Sequence, residues 1–195
     1  MADAGTAYDE ARKVARVALR GRLLQVAADL LEAEGLDALS MRPLARAAGC
    51  STMVFYTEFG SKTGLLEALA DERASHLVEI VETVADVDPL SHRQAVVTAF
   101  LDEVAARPEG YRLLTRAASD DDAVLALASE RRARLDGRLL AALHPSGDAE
   151  PERYLQGLVL ALHGAAERIV AGAEDVATVL PRIEALLAAG ARGDR

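Results

Sequence analysis

Between Ser51 and Lys62 the chain reads STMVFYTEFGSK, a concentration of hydroxyls and aromatic rings in a sequence that is otherwise Ala, Leu, Val and charge. Wound as a helix, Thr52, Met53, Tyr56 and Thr57 fall on one face, and Val54, Phe55, Glu58 and Phe59 on the other. The first set suits nucleic-acid contact. Threonine hydroxyls hydrogen-bond base edges or phosphate, a methionine side chain touches thymine methyls, and a tyrosine hydroxyl reaches phosphate. Lys62 follows Gly60-Ser61 at the start of a further helix, where a cation and unpaired backbone N–H groups favour phosphate. Ser40 and Arg42 make a similar pair at another helix start.

Such side chains need a rigid carrier. Leu19, Leu23, Val26, Ala27, Leu30 and Leu31 lie at helical spacing and predict a first helix ending near Glu34, with Gly35 as its stop. Ser40 caps a short second helix, Met41–Ala48, with Pro43 in its first turn. Gly49 supplies a turn and Ser51 caps a third helix, from Thr52 to about Thr57. Two short helices joined through a glycine have helix-turn-helix anatomy. A reading helix so short needs large anchors, and Phe55 and Phe59, four residues apart, supply them together with Leu44, Ala45 and Ala48.

The 195 residues include 51% hydrophobic but only 4% aromatic side chains and no tryptophan. That composition favours helix and suffices for a sizeable core. The net charge of −9 argues against a generally basic nucleic-acid binder. The charge is uneven: eight basic against five acidic residues from Arg12 to Lys62, then fourteen against twenty-three from Thr63 onward. A locally basic segment is joined to an acidic body. Cys50 is the one cysteine, so no internal disulfide forms. With no signal-peptide core and no membrane-length apolar run, a cytoplasmic location is expected.

Beyond Ser61 a long helix runs to about Ala85, followed by breaks at Asp88-Pro89 and Arg107–Gly110. Between and after them lie helices over Leu90–Ala106, Tyr111–Ala118, the acidic Asp120–Asp122 cluster to Leu143, Pro151 to about Ala171, and Val179–Gly190. The 144–150 stretch reads as a loop, Thr178 as a cap, and Pro181 as a first-turn residue. The expectation is an all-α protein of about nine helices, with a helix-turn-helix domain over 8–60 and a helical domain over 61–195.

Leu19–Leu66 resembles the DNA-binding domain of TetR-family transcriptional regulators. The stretch AADLLEAEGLDALSMRPLARAAGCS, the FYTEF pattern, and GSK followed by GLL carry the likeness. The resemblance implies a homodimer on a pseudo-palindromic double-stranded DNA operator, a small-molecule inducer that lowers DNA affinity, and repression as the default. It assigns DNA contacts to Ser40, Arg42, Thr52, Met53, Tyr56, Thr57 and Lys62. Two residues depart from the family pattern. Glu58 stands where His or Tyr is usual, near the DNA backbone; it either pairs with a basic neighbour or disfavours non-specific binding. Gly64 replaces a commoner alanine and would loosen the next helix.

The family's last two helices usually form a four-helix dimer interface. Gly157, Ala161, Gly164, Ala165 and Arg168, with Val179, Ile183, Leu186 and Leu187, fit that role or pack against the subunit's own core. Ligand-pocket candidates are Tyr111, Thr115, His163 and Glu167, with Phe100 and Leu114 as walls. His163 and Glu167, four residues apart, either orient a ligand or form an intrahelical pair.

No enzyme is indicated and no cofactor or metal is expected. GSKT at 60–63 lacks the strand and spacing of a phosphate-binding loop. The four histidines show no zinc spacing, and Cys50 reads as turn packing. The alternative function is a helical ligand- or protein-binding protein whose helix-turn-helix no longer binds DNA, a reading favoured by Glu58 and the acidic body.

Overall fold

The computed structural model describes residues 4–84, 88–115, 122–144 and 151–190. Among them are nine α-helices and no strand: α1 (Ala4–Glu34), α2 (Met41–Ala48), α3 (Thr52–Phe59), α4 (Lys62–Glu82), α5 (Pro89–Ala106), α6 (Pro108–Thr115), α7 (Asp122–Leu143), α8 (Glu152–Val170) and α9 (Val176–Gly190). The all-α expectation of about nine helices matches. The chain divides into two compact units, Met1–Leu69 and Ala70–Arg195.

In the first unit α1 is far longer than its apolar stripe. Leu23, Leu24, Ala27, Ala28 and Leu31 are buried, but Leu19, expected in the stripe, is 41% exposed. The buried face is set by where α2 packs, so it begins about one turn later than periodicity alone suggested. Gly35 stops α1, its N–H bonding to the Leu31 carbonyl at 2.8 Å, and a 3-10 turn over Leu36–Ala38 leads to α2. Ser40 and Ser51 have the extended backbone of N-caps, but neither side chain makes the capping hydrogen bond. Ser61 does, its Oγ accepting from the Gly64 N–H at 3.0 Å.

In the second unit α5 is the central helix, packed by α6, α7, α8 and α9. Its Val96, Val97, Phe100, Leu101 and Val104 are buried. Buried Arg93 donates through Nε to the Leu143 carbonyl at 3.0 Å, so a cation satisfies an orphan acceptor at the end of α7. Two boundaries differ from expectation. Pro108 begins α6 instead of breaking the chain, because a missing N–H costs nothing in a first turn. Asp175, not Thr178, caps α9, its Oδ1 accepting from the Thr178 N–H at 2.8 Å. Pro181 therefore lies inside α9 rather than in its first turn. Asp120, Asp121 and the 145–150 loop, and the predicted continuation of α6 to Ala118, lie outside the described residues.

Gly64 proves to be a close-approach residue. A Cβ there would collide with the Phe59 carbonyl oxygen at the end of α3, so this glycine tightens the α3–α4 junction instead of loosening it. Gly64→Ala should lower stability by about 1–3 kcal/mol, the usual cost of forced overpacking. Gly21→Ala is the control: a Cβ meets nothing within 4 Å there, and alanine should stabilise the helix by about 0.5–1 kcal/mol. Denaturant midpoints of the two variants measure the contrast.

Candidate nucleic-acid interface

The turn between α2 and α3 is a left-handed glycine stop. Gly49 has φ 66° and ψ 34°, a conformation that a Cβ would resist. The Cys50 N–H reaches back to the Ala45 carbonyl at 2.9 Å and that of Gly49 to Arg46 at 3.2 Å, closing the α2 terminus. Cys50 is half-buried in this turn, consistent with packing.

Helix α3 has only eight residues, too few to be stable alone. Its anchors are Phe55, 0% exposed, and Phe59, buried at 8%, with ring centroids 6.1 Å apart. Leu44 and Ala45 are buried, and Ala48 is half-buried. Full burial of one such aromatic contributes about 1.5–3 kcal/mol. On the opposite face Met53 is 68% and Tyr56 47% exposed, Thr57 is exposed, and Thr52 is half-buried. Ser40, Arg42 and Lys62 are also exposed. The proposed contact residues thus present hydroxyl, thioether and cationic groups to solvent from the same unit. Two large exposed apolar or amphipathic groups on a two-turn helix have no packing role, which suits them to contact with a partner.

Glu58 does not share that face. Its side chain is only 8% exposed, and Oε2 accepts from Arg16 Nε of α1 at 3.2 Å. Arg20, also on α1, donates to the Glu58 backbone carbonyl at 2.7 Å. The Arg20 guanidinium also lies 4.5 Å from the Phe59 ring centroid. One arginine therefore satisfies a terminal carbonyl of α3 and stacks on its anchor ring. Sequence reasoning gave Arg16 and Arg20 no role, and for Glu58 the structure shows the pairing with a basic neighbour. The spacing of Arg12, Arg16 and Arg20 at four-residue intervals was the available signal.

In the second unit, Phe100, Tyr111 and His163 meet as a closed aromatic cluster. The Tyr111 and His163 rings stack with centroids 6.2 Å apart, and Phe100 sits edge-on to both. The Tyr111 hydroxyl lies 2.7 Å from His163 Nδ1, and His163 Nε2 lies 2.7 Å from Asp136 Oδ1. A neutral imidazole satisfies both, accepting from the tyrosine and donating to the carboxylate. Asp136 is held in turn by Arg132 at 3.0 Å. Burial, assisted by the Arg132 charge, brings the His163 pKa down to about 4; burial also pushes the Tyr111 hydroxyl up, here against the Arg132 charge.

His163 thus pairs with Asp136 and Tyr111, while Glu167 is exposed. Leu114 is buried and the Thr115 hydroxyl donates to the Tyr111 carbonyl of its own helix at 3.2 Å. The crevice bordered by Tyr111 and Leu114 holds about 20 Å³, room for about one water. These six residues therefore include a packed core cluster rather than the lining of an open cavity. A larger groove, about 620 Å³, opens between α4 and α7, where Val78 and Leu135 are flanked by Arg131, Arg134, Arg138, Asp71, Glu79 and Glu82.

Of the interface candidates, Gly157, Gly164, Arg168 and Leu186 are exposed, and Ala161 is half-buried. Ala165, Val179, Ile183 and Leu187 are buried within the subunit, so they offer a partner no surface. Leu160, which the sequence reading did not select, is 71% exposed between Gly157 and Gly164. No cluster of three potential metal ligands occurs among the described residues, and no described helix is long and apolar enough to cross a membrane.

Residues 23–69 match the family model of bacterial regulatory proteins, tetR family. The transcriptional regulator AlkX of Mycobacterium tuberculosis is 33% identical over 137 residues, which cover 69% of this chain and 64% of that protein. The transcriptional activator FasR of Mycolicibacterium smegmatis is 33% identical over 97 residues, 49% of this chain and 44% of that protein. The matched region is less than two thirds of either relative. Among solved structures, a TetR-like regulator from Rhodococcus sp. RHA1 superposes with a TM-score of 0.65 at 24% identity, covering 90% of this chain and 97% of the other. Another Rhodococcus regulator reaches 0.72 at 20% identity, covering 89% and 96%. The fold is the one seen in these solved structures, and the family match is confined to residues 23–69.

The buried histidine makes stability depend on pH. Its folded pKa of about 4 lies below the ordinary 6.5, so between those values the unfolded chain binds more protons and stability rises with pH. Urea midpoints should therefore fall from pH 7 toward pH 4. In His163→Gln this part of the pH dependence should flatten, whatever the change in absolute stability.

Proposed function

We propose that this protein is a DNA-binding transcriptional regulator that docks on double-stranded DNA through α2, α3 and the first turn of α4. The observation that carries the reading is the two-sided α3: one face is buried through Phe55 and Phe59, and the other holds Met53, Tyr56 and Thr57 out to solvent. The match over residues 23–69 supports it, as do the names of two relatives that share sequence with this chain. Ser40, Arg42, Tyr56 and Lys62 act on phosphate, and Thr52, Met53 and Thr57 read base edges.

The working form is a homodimer on a pseudo-palindromic operator, with repression relieved by a small molecule. The exposed Gly157, Leu160 and Gly164 of α8, with Leu186 of α9, support the dimer face. These residues combine small side chains that permit close helix approach with two unpartnered leucines. The α4–α7 groove, with its apolar floor and three arginines, supports a ligand site better than the closed Tyr111–His163 cluster does. The Glu58 argument for a helix-turn-helix without DNA binding is weakened, because its carboxylate is turned to Arg16 rather than outward.

Substitutions separate the two kinds of contact. Lys62→Ala should weaken binding to all duplexes about equally and reduce the magnitude of the salt slope by about 1. Thr52→Ala and Met53→Ala should change sequence preference, costing about 1–3 kcal/mol at the affected base pair. Binding titrations over a range of salt, on a selected duplex and its single-position variants, give both readings. Wild-type behaviour in all three would remove α3 and Lys62 from the interface.

A further inference from the structure

Helix α1 extends well before the first buried leucine, and its early turns carry a basic face. Arg12, Arg16 and Arg20 recur every four residues with Lys13 beside them, which places all four within roughly one third of the helix circumference. Arg12, Lys13 and Arg16 are exposed. This face borders an open groove of about 600 Å³, whose other wall is Thr57 and Glu58 at the end of α3. Thr57 is on the exposed face of the reading helix, so the groove and the reading face are continuous. The acids on the groove are Asp9 and Glu58; Glu58 is almost wholly covered, whereas its partner Arg16 is 67% exposed.

This asymmetry has a chemical consequence. A guanidinium has five donors in a planar fork and takes phosphate through the same geometry as carboxylate. Glu58 uses Nε of Arg16 and leaves most of that side chain open to solvent. A duplex seated on Thr57 would bring its backbone alongside α1, where the groove offers three cations.

Given the DNA-binding reading, on which this rests, we infer that the basic face of α1 is a second phosphate-contacting surface and that Glu58 competes with DNA phosphate for Arg16. Glu58 thus sets the strength of DNA binding rather than its sequence preference. It lowers the affinity for every sequence alike and leaves discrimination to the groove face of α3, because a uniform penalty on phosphate contact removes background binding without touching base readout. Arg20 stays on α3 as a positioning residue, engaged with the Glu58 carbonyl and the Phe59 ring.

The test is a salt titration of the full-length protein on a short random-sequence duplex, read by fluorescence anisotropy, with folding checked by circular dichroism. Glu58→Gln keeps the size of the side chain and removes its charge. It should steepen the slope of log K against log salt by about 0.9, the value of one added phosphate contact, and tighten binding about five-fold near 0.15 M salt. Arg16→Ala in the Glu58→Gln background should abolish the gain. Arg12→Ala/Lys13→Ala, both on the exposed face, should flatten the wild-type slope even if Glu58→Gln proves unstable. Wild-type slopes in the Glu58→Gln and Arg12→Ala/Lys13→Ala proteins, with wild-type DNA binding intact, overturn this inference alone. Failure of the wild-type protein to bind any duplex overturns the DNA-binding reading as well.

Discussion

An eight-residue helix buries too little to hold itself in place, and the residues that touch α3 and its two ends answer that constraint. Isolated helices of this length are unstable in water, so α3 persists only through what its two ends and its inner face touch. Phe55 and Phe59 provide the inner face. Gly49 supplies the turn that starts it, and the Gly64 close approach holds the next helix against its end. Arg20 of α1 satisfies the Glu58 carbonyl and covers the Phe59 ring. The outward face is consequently free of packing duty, and it holds Met53, Tyr56 and Thr57 out to solvent.

Under the proposed DNA binding, Glu58 serves the fold and the interface together. Its backbone ends the reading helix and its carboxylate engages Arg16. Because Arg16 is 67% exposed the pair adds little stability, and under the proposed DNA binding its larger effect falls on what Arg16 can bind. The acidic body has a comparable effect at longer range. A net charge of −9, with the positive excess confined to Arg12–Lys62, disfavours indiscriminate coating of DNA and leaves one end of the chain electrostatically suited to it.

Local features were legible in the sequence and distant pairings were not. The Phe55/Phe59 anchor follows from a four-residue spacing, and the Gly49 turn from glycine chemistry. The partner of Glu58 lies 42 residues away on another helix, beyond any periodicity argument. His163 made Glu167 its apparent partner at i, i+4, but the fold brings in Asp136 and Tyr111 from α7 and α6. Desolvation decides this: the inward side of α8 carries His163 into the core, where it needs partners, while Glu167 remains in water. The apolar stripe of α9 was equally ambiguous. Periodicity gives Val179, Ile183 and Leu187 a common face, but only packing assigns that face to the subunit's own core. The end of α6 and the acidic start of α7 depend on residues outside those described.

The central claim is that α3 reads DNA sequence. The most direct measurement is selection of bound duplexes from a random pool by the purified full-length protein at near-physiological salt. Enrichment of a palindromic motif, with half-sites about one helical turn apart or a multiple of it, is the predicted result. No enrichment from protein shown to be folded and dimeric would contradict it.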